Sequence, residues 1–233
     1  MNRYLFKVFI FFSIFISSFS FSQVIDGTYL GAGSESDVVI ETNDIGQQRF
    51  LMNILGGNGH VCFDVAGTIK GTQGLVDDEE ELGQCELTFT QKGHILDVNI
   101  ETYEECRQYC GMRATLEGSY RIPPQACTLS AIASQRQEFK SLYDQKQYKD
   151  AENILNKLLN QCNFYLDFVM YDAVRNDLAL TLYHQDAPEL CIEVLTSTIA
   201  VDQNAYLPPM EQELYEEVEK AILFNWELCG GNR

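Results

Sequence analysis

Residues 142–155 read LYDQKQYKDAENIL, and residues 182–195 read LYHQDAPELCIEVL. Without a gap, Leu, Tyr and Gln at positions 142, 143 and 145 return forty residues later, and Leu155 returns as Leu195. A fixed period of this length is typical of stacked helix pairs, because one pair alone cannot bury its apolar face. The repeat therefore predicts a short α-helical solenoid in the C-terminal half of the chain, preceded by a different module.

The composition predicts a folded chain with a strongly acidic surface. Of the 233 residues, 45% are hydrophobic, and 14 Phe and 12 Tyr are among them, which is ample for one or two domains with real cores. The formal net charge of −18 argues against binding to nucleic acid or to an anionic membrane surface, since both require a basic face. It is compatible with a basic protein partner, or with solubility alone.

Residues 1–22 are predicted to be an export signal. Arg3 and Lys7 precede an apolar run over residues 8–16, and Ser20 and Ser22 stand at the two positions that a signal peptidase reads. Cleavage is therefore expected before Gln23. The alternative, an uncleaved membrane anchor, is disfavoured because the apolar run is short for a membrane span. The predicted mature chain is secreted or periplasmic, is not inserted in a membrane, and carries 14 basic against 34 acidic residues.

Export changes the interpretation of the cysteines. An even number of cysteines in an oxidising compartment predicts disulfides rather than a metal site. No Cys-x-x-Cys pair is present and no His lies at ligand spacing from a Cys pair, so neither zinc nor any cofactor is expected. A redox role for Cys106 and Cys110 is disfavoured, because their spacing differs from that of the reactive motif. The eight cysteines are Cys62, Cys85, Cys106, Cys110, Cys127, Cys162, Cys191 and Cys229.

Residues 23–122 are predicted to form an antiparallel β domain, either a small barrel or a sandwich. Phe50, Met52 and Ile54 alternate with Leu51, Asn53 and Leu55, which is the period of a strand with one buried face. The sequence GTY at 27–29 is similar to GSY at 118–120, which suggests that the first and last strands are neighbours. The candidate strands are Ile25–Leu30, Asp37–Thr42, Arg49–Leu55, His60–Lys70, Cys85–Thr90, Ile95–Glu101 and Arg113–Arg121.

An acidic run, DDEEE at residues 77–81, lies between two of these strands. Calcium-binding loops usually space their ligands around a glycine turn, whereas this run is an uninterrupted block. A solvated loop is therefore the favoured interpretation, and a calcium site or a binding site for a basic partner is the alternative.

Residues 123–128 are predicted to be a Pro-rich linker, and residues 129–233 a helical domain. In the last helix, apolar residues at three- and four-residue steps follow the polar residues 211–213, a pattern that suits a terminal cap with one wet face. The expected helices are Leu129–Lys146, Tyr148–Gln161, Phe164–Tyr183, a fourth from Pro188 to about Val201, and Glu211–Cys229.

The helix register also predicts disulfide pairs. If consecutive helices are antiparallel, Cys127 lies beside Cys162, and Cys191 beside Cys229, within the roughly 7 Å between Cα atoms that a bridge requires. In the β domain, the hairpin at Lys92-Gly93 favours Cys85–Cys106 together with Cys62–Cys110. The alternative set, Cys62–Cys85 with Cys106–Cys110, stays open, because sequence alone does not fix connectivity. Each domain is thus expected to contain its own disulfides, with none joining the two domains.

Residues 129–229 resemble the tetratricopeptide-repeat family. The resemblance rests on YKDA at 148–151 followed by Leu155, and on Ala179, Leu182 and Cys191 in the second copy. It implies an α+β chain in which a TPR-like solenoid of about five helices follows the β domain and binds protein or peptide segments on its concave face. The chain departs from the family in its longer period and in Phe139, where the family prefers a small residue.

Residues 24–121 resemble a disulfide-bonded β module of exported bacterial proteins. The resemblance rests on Cys62, CELTF at 85–89, CRQYCG at 106–111 and the closing GSY at 118–120. Some proteins of this appearance are compared with periplasmic lysozyme inhibitors. The Ser-Gly-x-x-Tyr motif of one inhibitor class is absent, so the resemblance assigns no functional residues.

The expected function is non-catalytic binding of a protein or peptide partner in the cell envelope. The alternative is inhibition of a lysozyme-type hydrolase, since an acidic inhibitor would be steered towards a basic enzyme. An enzyme is the least favoured class. Asp97, Glu101 and Glu104 are candidate hydrolase carboxylates, but no nucleophile or acid–base partner accompanies them in the sequence.

Overall fold

The structure is a computed structural model that describes residues 24–77 and 83–231. The predicted export signal over residues 1–22 lies outside the described residues, and so does the acidic run except for Asp77. Within the described part of the chain, an antiparallel β-barrel of eight strands is followed by a group of α-helices.

The barrel is a meander in which each strand pairs with the next one along the chain. It closes where the first strand pairs with the last, with Leu30 opposite Arg121. The expected neighbour relation of these two strands is therefore confirmed, and of the two expected architectures the chain forms the barrel. The strands are β1 (Gly27–Leu30), β2 (Asp37–Thr42), β3 (Gln48–Leu55), β4 (Val61–Lys70), β5 (Gln73–Val76), β6 (Glu86–Lys92), β7 (Ile95–Ile100) and β8 (Gly118–Arg121).

The interior of the barrel is filled by the alternate side chains that the period of two predicts. Along β3, Phe50, Met52 and Ile54 are buried, while the residues between them are only partly covered. The ring of Phe50 packs at 5.1 Å, centroid to centroid, against another ring from β6, that of Phe89. Gly67 and Gly74 face these rings, and a Cβ atom at either position would overlap them. Glycine is therefore required where the barrel is filled by aromatic rings.

Two elements of this region differ from the sequence-based expectation. β5, Gln73–Val76, was not among the candidate strands, because Gly71 and Gly74 indicate a turn and leave too few residues for a period to show. The predicted last strand, Arg113–Arg121, is shorter in the structure, where β8 begins only at Gly118. The chain between β7 and β8 instead forms a short helix, α1 (Tyr103–Arg107).

Five further helices follow the barrel, as many as the sequence predicts. The third begins at Phe168 rather than Phe164, because residues 163–165 form a 3-10 turn and Asp167 caps the helix by accepting a hydrogen bond from the Met170 amide at 2.6 Å. The predicted linker contains another 3-10 turn, Gln125–Cys127. The helices are α2 (Leu129–Asp144), α3 (Tyr148–Gln161), α4 (Phe168–Tyr183), α5 (Pro188–Thr196) and α6 (Pro209–Leu228).

The forty-residue repeat is visible in the turns that join α2 to α3 and α4 to α5. Lys146 and Asp186 occupy the same position in the two copies, and both have left-handed backbones, with φ of 61° and 59°. In the first turn the Gln147 amide donates to the Leu142 carbonyl oxygen at 2.9 Å, and the equivalent bond in the second turn is 3.2 Å. The repeated sequence therefore specifies a repeated helix–turn–helix geometry.

Helix α4 joins the two apolar clusters of the helical part. Val174 and Leu178 of α4 pack into the cluster formed with α2 and α3, while Ala179 packs into the cluster formed with α5 and α6. Because α4 contributes to both clusters, the helices after the barrel form one continuous packed unit.

The structure contains four disulfides, and none of them joins the barrel to the helices. The two in the barrel follow the favoured set, Cys62–Cys110 and Cys85–Cys106, with Cα atoms 4.2 and 4.6 Å apart. The two in the helical part follow from the antiparallel packing, which places the ends of neighbouring helices together. They are Cys127–Cys162 and Cys191–Cys229, with Cα atoms 5.2 and 6.0 Å apart.

The barrel and the helices contact each other at two places. Near the linker, the Arg121 guanidinium lies 4.0 Å from the centroid of the Phe164 ring, and Ser34 Oγ donates to the Tyr165 carbonyl oxygen at 2.9 Å. At the start of α6, the Asn58 amide donates to Glu211 Oε1 at 3.1 Å. The second contact places the first turn of α6 next to the rim of the barrel.

Candidate functional site

The cysteines singled out from the sequence all have structural partners. Every described cysteine is bonded in one of the four disulfides. Cys106 and Cys110, the residues considered as a redox pair, are bonded to Cys85 and Cys62 rather than to each other. The pairing joins β4 and the residue just before β6 to the segment between β7 and β8, so both disulfides anchor the long connection that contains α1.

The three candidate hydrolase carboxylates do not form a site together. Asp97 is bound to Lys92 Nζ at 2.9 Å, and this hydrogen bond, followed by one from Ser119, lowers the pKa of its carboxyl. Glu101 accepts a hydrogen bond from Thr88 at 2.6 Å. The third, Glu104, lies exposed in the first turn of α1. Two of the three are thus occupied in contacts that stabilise the strands.

The described part of the chain offers a more distinctive feature in the groove between α2 and α4. Helix α2 contributes Arg136, Phe139, Lys140 and Tyr143, which are three or four residues apart and so lie on one face of the helix. Helix α4 contributes Asp177 and Leu180 in the same way. Together with Gln137 and Asp144 at the edges, these residues enclose a volume of about 560 Å³ that opens to solvent. We call this space the α2–α4 groove.

The groove has an apolar floor and a charged wall. Phe139 is 8% exposed, and its ring lies 5.7 Å from that of Tyr143, centroid to centroid. Lys140 is exposed, and it forms no hydrogen bond or ion pair with any other described residue. A cation that is free above an aromatic floor can bind a carbonyl or carboxylate oxygen of a ligand whose side chain covers the floor.

Arg136 and Asp177 form the bottom of the charged wall. Arg136 Nη1 lies 2.5 Å from Asp177 Oδ2, and each side chain is only 27% exposed. Burial raises the pKa of the Asp177 carboxyl above its usual range, and the attraction and hydrogen bond of Arg136 offset the increase only in part. The ion pair therefore fixes the two helices relative to each other, and the buried carboxylate depends on its arginine.

Tyr143, which lines the groove, packs against two further aromatic rings. The imidazole of His184, just after α4, stacks on the ring of Tyr148 at 5.0 Å with an interplanar angle of 11°. Tyr143 meets both rings edge-on, at 5.4 Å from Tyr148 and 5.7 Å from His184. Because these rings come from α2, α3 and the end of α4, they hold the groove in a fixed shape.

Sequence reasoning did not identify Arg136 and Lys140 as functional candidates. A signal was present, since Arg136, Phe139, Lys140 and Tyr143 form one stripe on α2. Such a stripe alone predicts only an apolar helix face, because the packing partner of a stripe is not visible in one sequence.

Two other site types are absent from residues 24–77 and 83–231. No group of three or more His, Cys, Asp or Glu side chains in these residues is arranged to hold a metal ion. Among the helices of the same residues, none is both long enough and apolar enough to cross a membrane.

The chain matches no protein-family model, no curated protein and no solved structure.

The Arg136–Asp177 pair leads to a prediction about pH. Arg136→Gln leaves a half-buried carboxylate without its cation, and we expect it to lower the free energy of unfolding by about 1–3 kcal/mol at neutral pH. The folded-state pKa of Asp177 lies above its unfolded value, so its contribution to stability is full at low pH and is lost as pH rises through the folded pKa. The loss of unfolding free energy caused by Arg136→Gln should therefore be larger near pH 7 than near pH 4. An ordinary aspartate pKa is about 4, so the carboxyl is mainly ionised only at the higher pH.

Urea denaturation at the two pH values measures this difference. The matched control is the double variant Arg136→Gln with Asp177→Asn, which removes the titrating group and should show little of the pH dependence. An equal cost of Arg136→Gln at both pH values would contradict the role assigned to the pair.

Proposed function

We propose that this chain is an exported, non-catalytic binding protein that holds a protein or peptide segment in the α2–α4 groove. The observation that supports the proposal most is Lys140, a cation without a partner in the described structure, beside a floor of Phe139 and Leu180. An extended peptide has what such a surface requires, because its backbone carbonyls are unpaired and its side chains can cover the floor.

A second groove, between α3, α4 and α5, encloses about 430 Å³ but is less suited to a ligand. Its main cation, Arg175, is already bound to Asp172 at 3.3 Å and to the Ser197 carbonyl oxygen at 2.5 Å, and it lies over the Tyr171 ring. A ligand there would compete with contacts that hold the helices together, whereas a ligand at Lys140 would displace only water.

The remaining features agree with an exported binding protein. Four disulfides are compatible with an oxidising compartment outside the cytoplasm. Helix–turn–helix repeats that present a groove are the architecture of TPR-like solenoids, whose usual role is binding. The net charge of −18 favours approach by a partner that is basic overall.

One observation favours a second candidate, inhibition of a lysozyme-type hydrolase by the barrel. Phe63 and Met112 are 68% and 81% exposed, and they lie next to Cys62 and Cys110, which are joined by a disulfide. Exposed apolar side chains on a rigid, acidic support suit contact with a basic enzyme. The test adds an excess of residues 23–233 to a lysozyme-type enzyme and measures its lytic rate. An unchanged rate would rule this candidate out.

The groove proposal predicts a specific effect of one lysine. Linear peptides are first selected from a display library on the mature chain, residues 23–233. Lys140→Ala should raise the dissociation constant of the selected peptides by about tenfold, which corresponds to the loss of one charged hydrogen bond. Lys157→Ala is the matched control, since Lys157 is also exposed and unpaired but lies on α3 outside the groove. It should change the constant by less than about twofold.

Fluorescence anisotropy with labelled peptides gives both constants. Equal effects of the two substitutions would mean that the lysine acts only through net charge, and the groove would not be the binding site.

A further inference from the structure

The outer face of the last helix does not have the polar character that a terminal cap needs. Met210, Leu214, Phe224 and Leu228 of α6 are 52%, 59%, 69% and 39% exposed. A solenoid normally ends in a helix with a polar outer side, because an apolar outer side would be an open interface. The solvent-exposed face expected for this helix therefore carries apolar side chains beside its charged ones.

These apolar residues form one straight strip. With Glu217 and Ala221 between them, they follow one another at steps of four and three residues, which confines them to about 80° of the helix surface at about 100° per residue. We call these six residues the α6 strip. The side of α6 that packs inward lies roughly 120° around the helix from the strip at about 100° per residue, and it buries Tyr215, Ile222 and Cys229. Steps of four and three residues are the spacing of a helix that packs along another helix.

The strip continues onto the barrel at its N-terminal end. Leu214 and Met210 line a cleft of about 240 Å³ together with Leu55 at the end of β3 and Phe168 at the start of α4. Glu35 and Glu211 provide the polar rim of this cleft. A partner that lies along the strip therefore finds a recess for a side chain at one end.

The net charge beside the strip is negative. Glu213, Lys220 and Glu227 run along its outer edge, and Lys220 is held by Glu216 at 2.5 Å, which leaves the edge acidic. Glu217 adds a further carboxylate within the strip itself. A partner with lysine or arginine beside its own apolar stripe would match this arrangement, and an acidic partner would be repelled.

A second copy of this chain does not fit. In a two-fold antiparallel pair of α6 strips, Met210 would face Leu228 and Leu214 would face Phe224, so the apolar residues would match. The edges would not match, because Glu213 would face Glu227 and Lys220 would face its own copy. Like charges would thus oppose one another along the whole edge, which disfavours self-association.

We propose that the α6 strip and its adjoining cleft are a second docking surface, and that its occupant is a positively charged amphipathic helix of a partner protein. The surface is separate from the α2–α4 groove and does not depend on the function proposed for that groove. Two sites on one continuous helical unit would allow the chain to hold two partners, or two segments of one partner, at the same time.

The test uses two synthetic helical peptides of about three heptads each. Both carry leucine at the a and d positions, and they differ only in the flanking e and g positions, which are all lysine in one and all glutamate in the other. Fluorescence anisotropy measures the binding of each labelled peptide to residues 23–233. We expect the lysine peptide to bind and the glutamate peptide to bind at least about tenfold more weakly.

Three variants assign the binding to the strip. Phe224→Ser should weaken the binding of the lysine peptide by about tenfold or more, because it removes the largest exposed apolar side chain of the strip. The matched control Ile45→Ser removes another apolar side chain, 85% exposed in the turn between β2 and β3, and should have no effect. Glu213→Lys with Glu217→Lys should reverse the preference between the peptides. Lys140→Ala should leave the binding unchanged, which separates this surface from the groove.

Several results would overturn the proposal. They are the binding of neither peptide, equal binding of both, or an affinity that Phe224→Ser leaves unchanged. Sedimentation equilibrium adds one more, since a dimer that dissociates in the Phe224→Ser variant would make a second copy the occupant.

Discussion

Asp172→Ala is expected to lower the free energy of unfolding by about 3–5 kcal/mol. Asp172 is 1% exposed, and it is the polar centre of the second half of the helical part. Its Oδ2 accepts hydrogen bonds from the Ile199 amide at 2.8 Å and from the Tyr215 hydroxyl at 2.6 Å, while Oδ1 lies 3.3 Å from Arg175 Nη1. One carboxylate thereby ties α4 to α6 and to the segment between α5 and α6.

The size of the effect follows from what alanine would leave behind. The Ile199 amide and the Tyr215 hydroxyl would lose their acceptor inside the protein, and each such loss costs about 1–3 kcal/mol. Arg175 would also lose its carboxylate. Burial and the neighbouring Asp172 raise the pKa of the Tyr215 hydroxyl above its usual range, so the hydroxyl remains a proton donor that needs this acceptor.

Urea denaturation followed by far-UV circular dichroism measures the effect. Tyr215→Phe is the matched variant. It keeps the ring but removes the hydrogen bond to Asp172 and the one that the Ala200 amide donates to the hydroxyl at 3.1 Å, and it should cost about 1–3 kcal/mol. The two changes should not be additive, because they remove parts of one network. A loss below about 1 kcal/mol for Asp172→Ala would show that the network contributes little.

Removing the Cys191–Cys229 disulfide is the second change with a large expected effect. The bond closes a sequence separation of 38 residues, and a loop of that length contributes about 4 kcal/mol in the chain-entropy model. The last two helices form a small apolar cluster, so they have little other stabilisation in reserve. Cys191→Ala with Cys229→Ala should therefore lower the melting temperature of the chain by roughly 8–16 °C.

Differential scanning calorimetry on residues 23–233 gives this melting temperature. The matched control is Cys85→Ala with Cys106→Ala, which opens a shorter loop in the barrel. It should leave the far-UV signal of the helices in place while the barrel loses stability. A melting curve that is unchanged by the Cys191 and Cys229 substitutions would contradict the assigned role of the bond.

The features that could be predicted from the sequence are those with a short-range or repeated signal. The copies at 142–155 and 182–195 gave the helix pairs, and the antiparallel register of those pairs gave Cys127–Cys162 and Cys191–Cys229. The alternation along β3 gave its buried face. In each case the pattern lies within one element or repeats at a fixed distance, so the side chains themselves show which face is covered.

The missed features depend on residues that are distant in the chain. Asp172 resembles any helical aspartate in the sequence, because its partners Ile199 and Tyr215 are 27 and 43 residues away. The α6 strip was missed for a related reason. The inward face, with Tyr215 and Ile222, and the exposed strip show the same three- and four-residue steps, and the sequence does not show which of two apolar faces has a partner.

The central claim, that the helices and not the barrel hold the partner, is tested most directly by NMR. Amide chemical shifts of residues 23–233 are recorded while a peptide selected on the same residues is added. We predict that the largest changes fall on α2 and α4 around Phe139, Lys140 and Leu180, and that the barrel strands change little. Changes confined to β1–β8 would contradict the account, because they would place the binding site on the barrel.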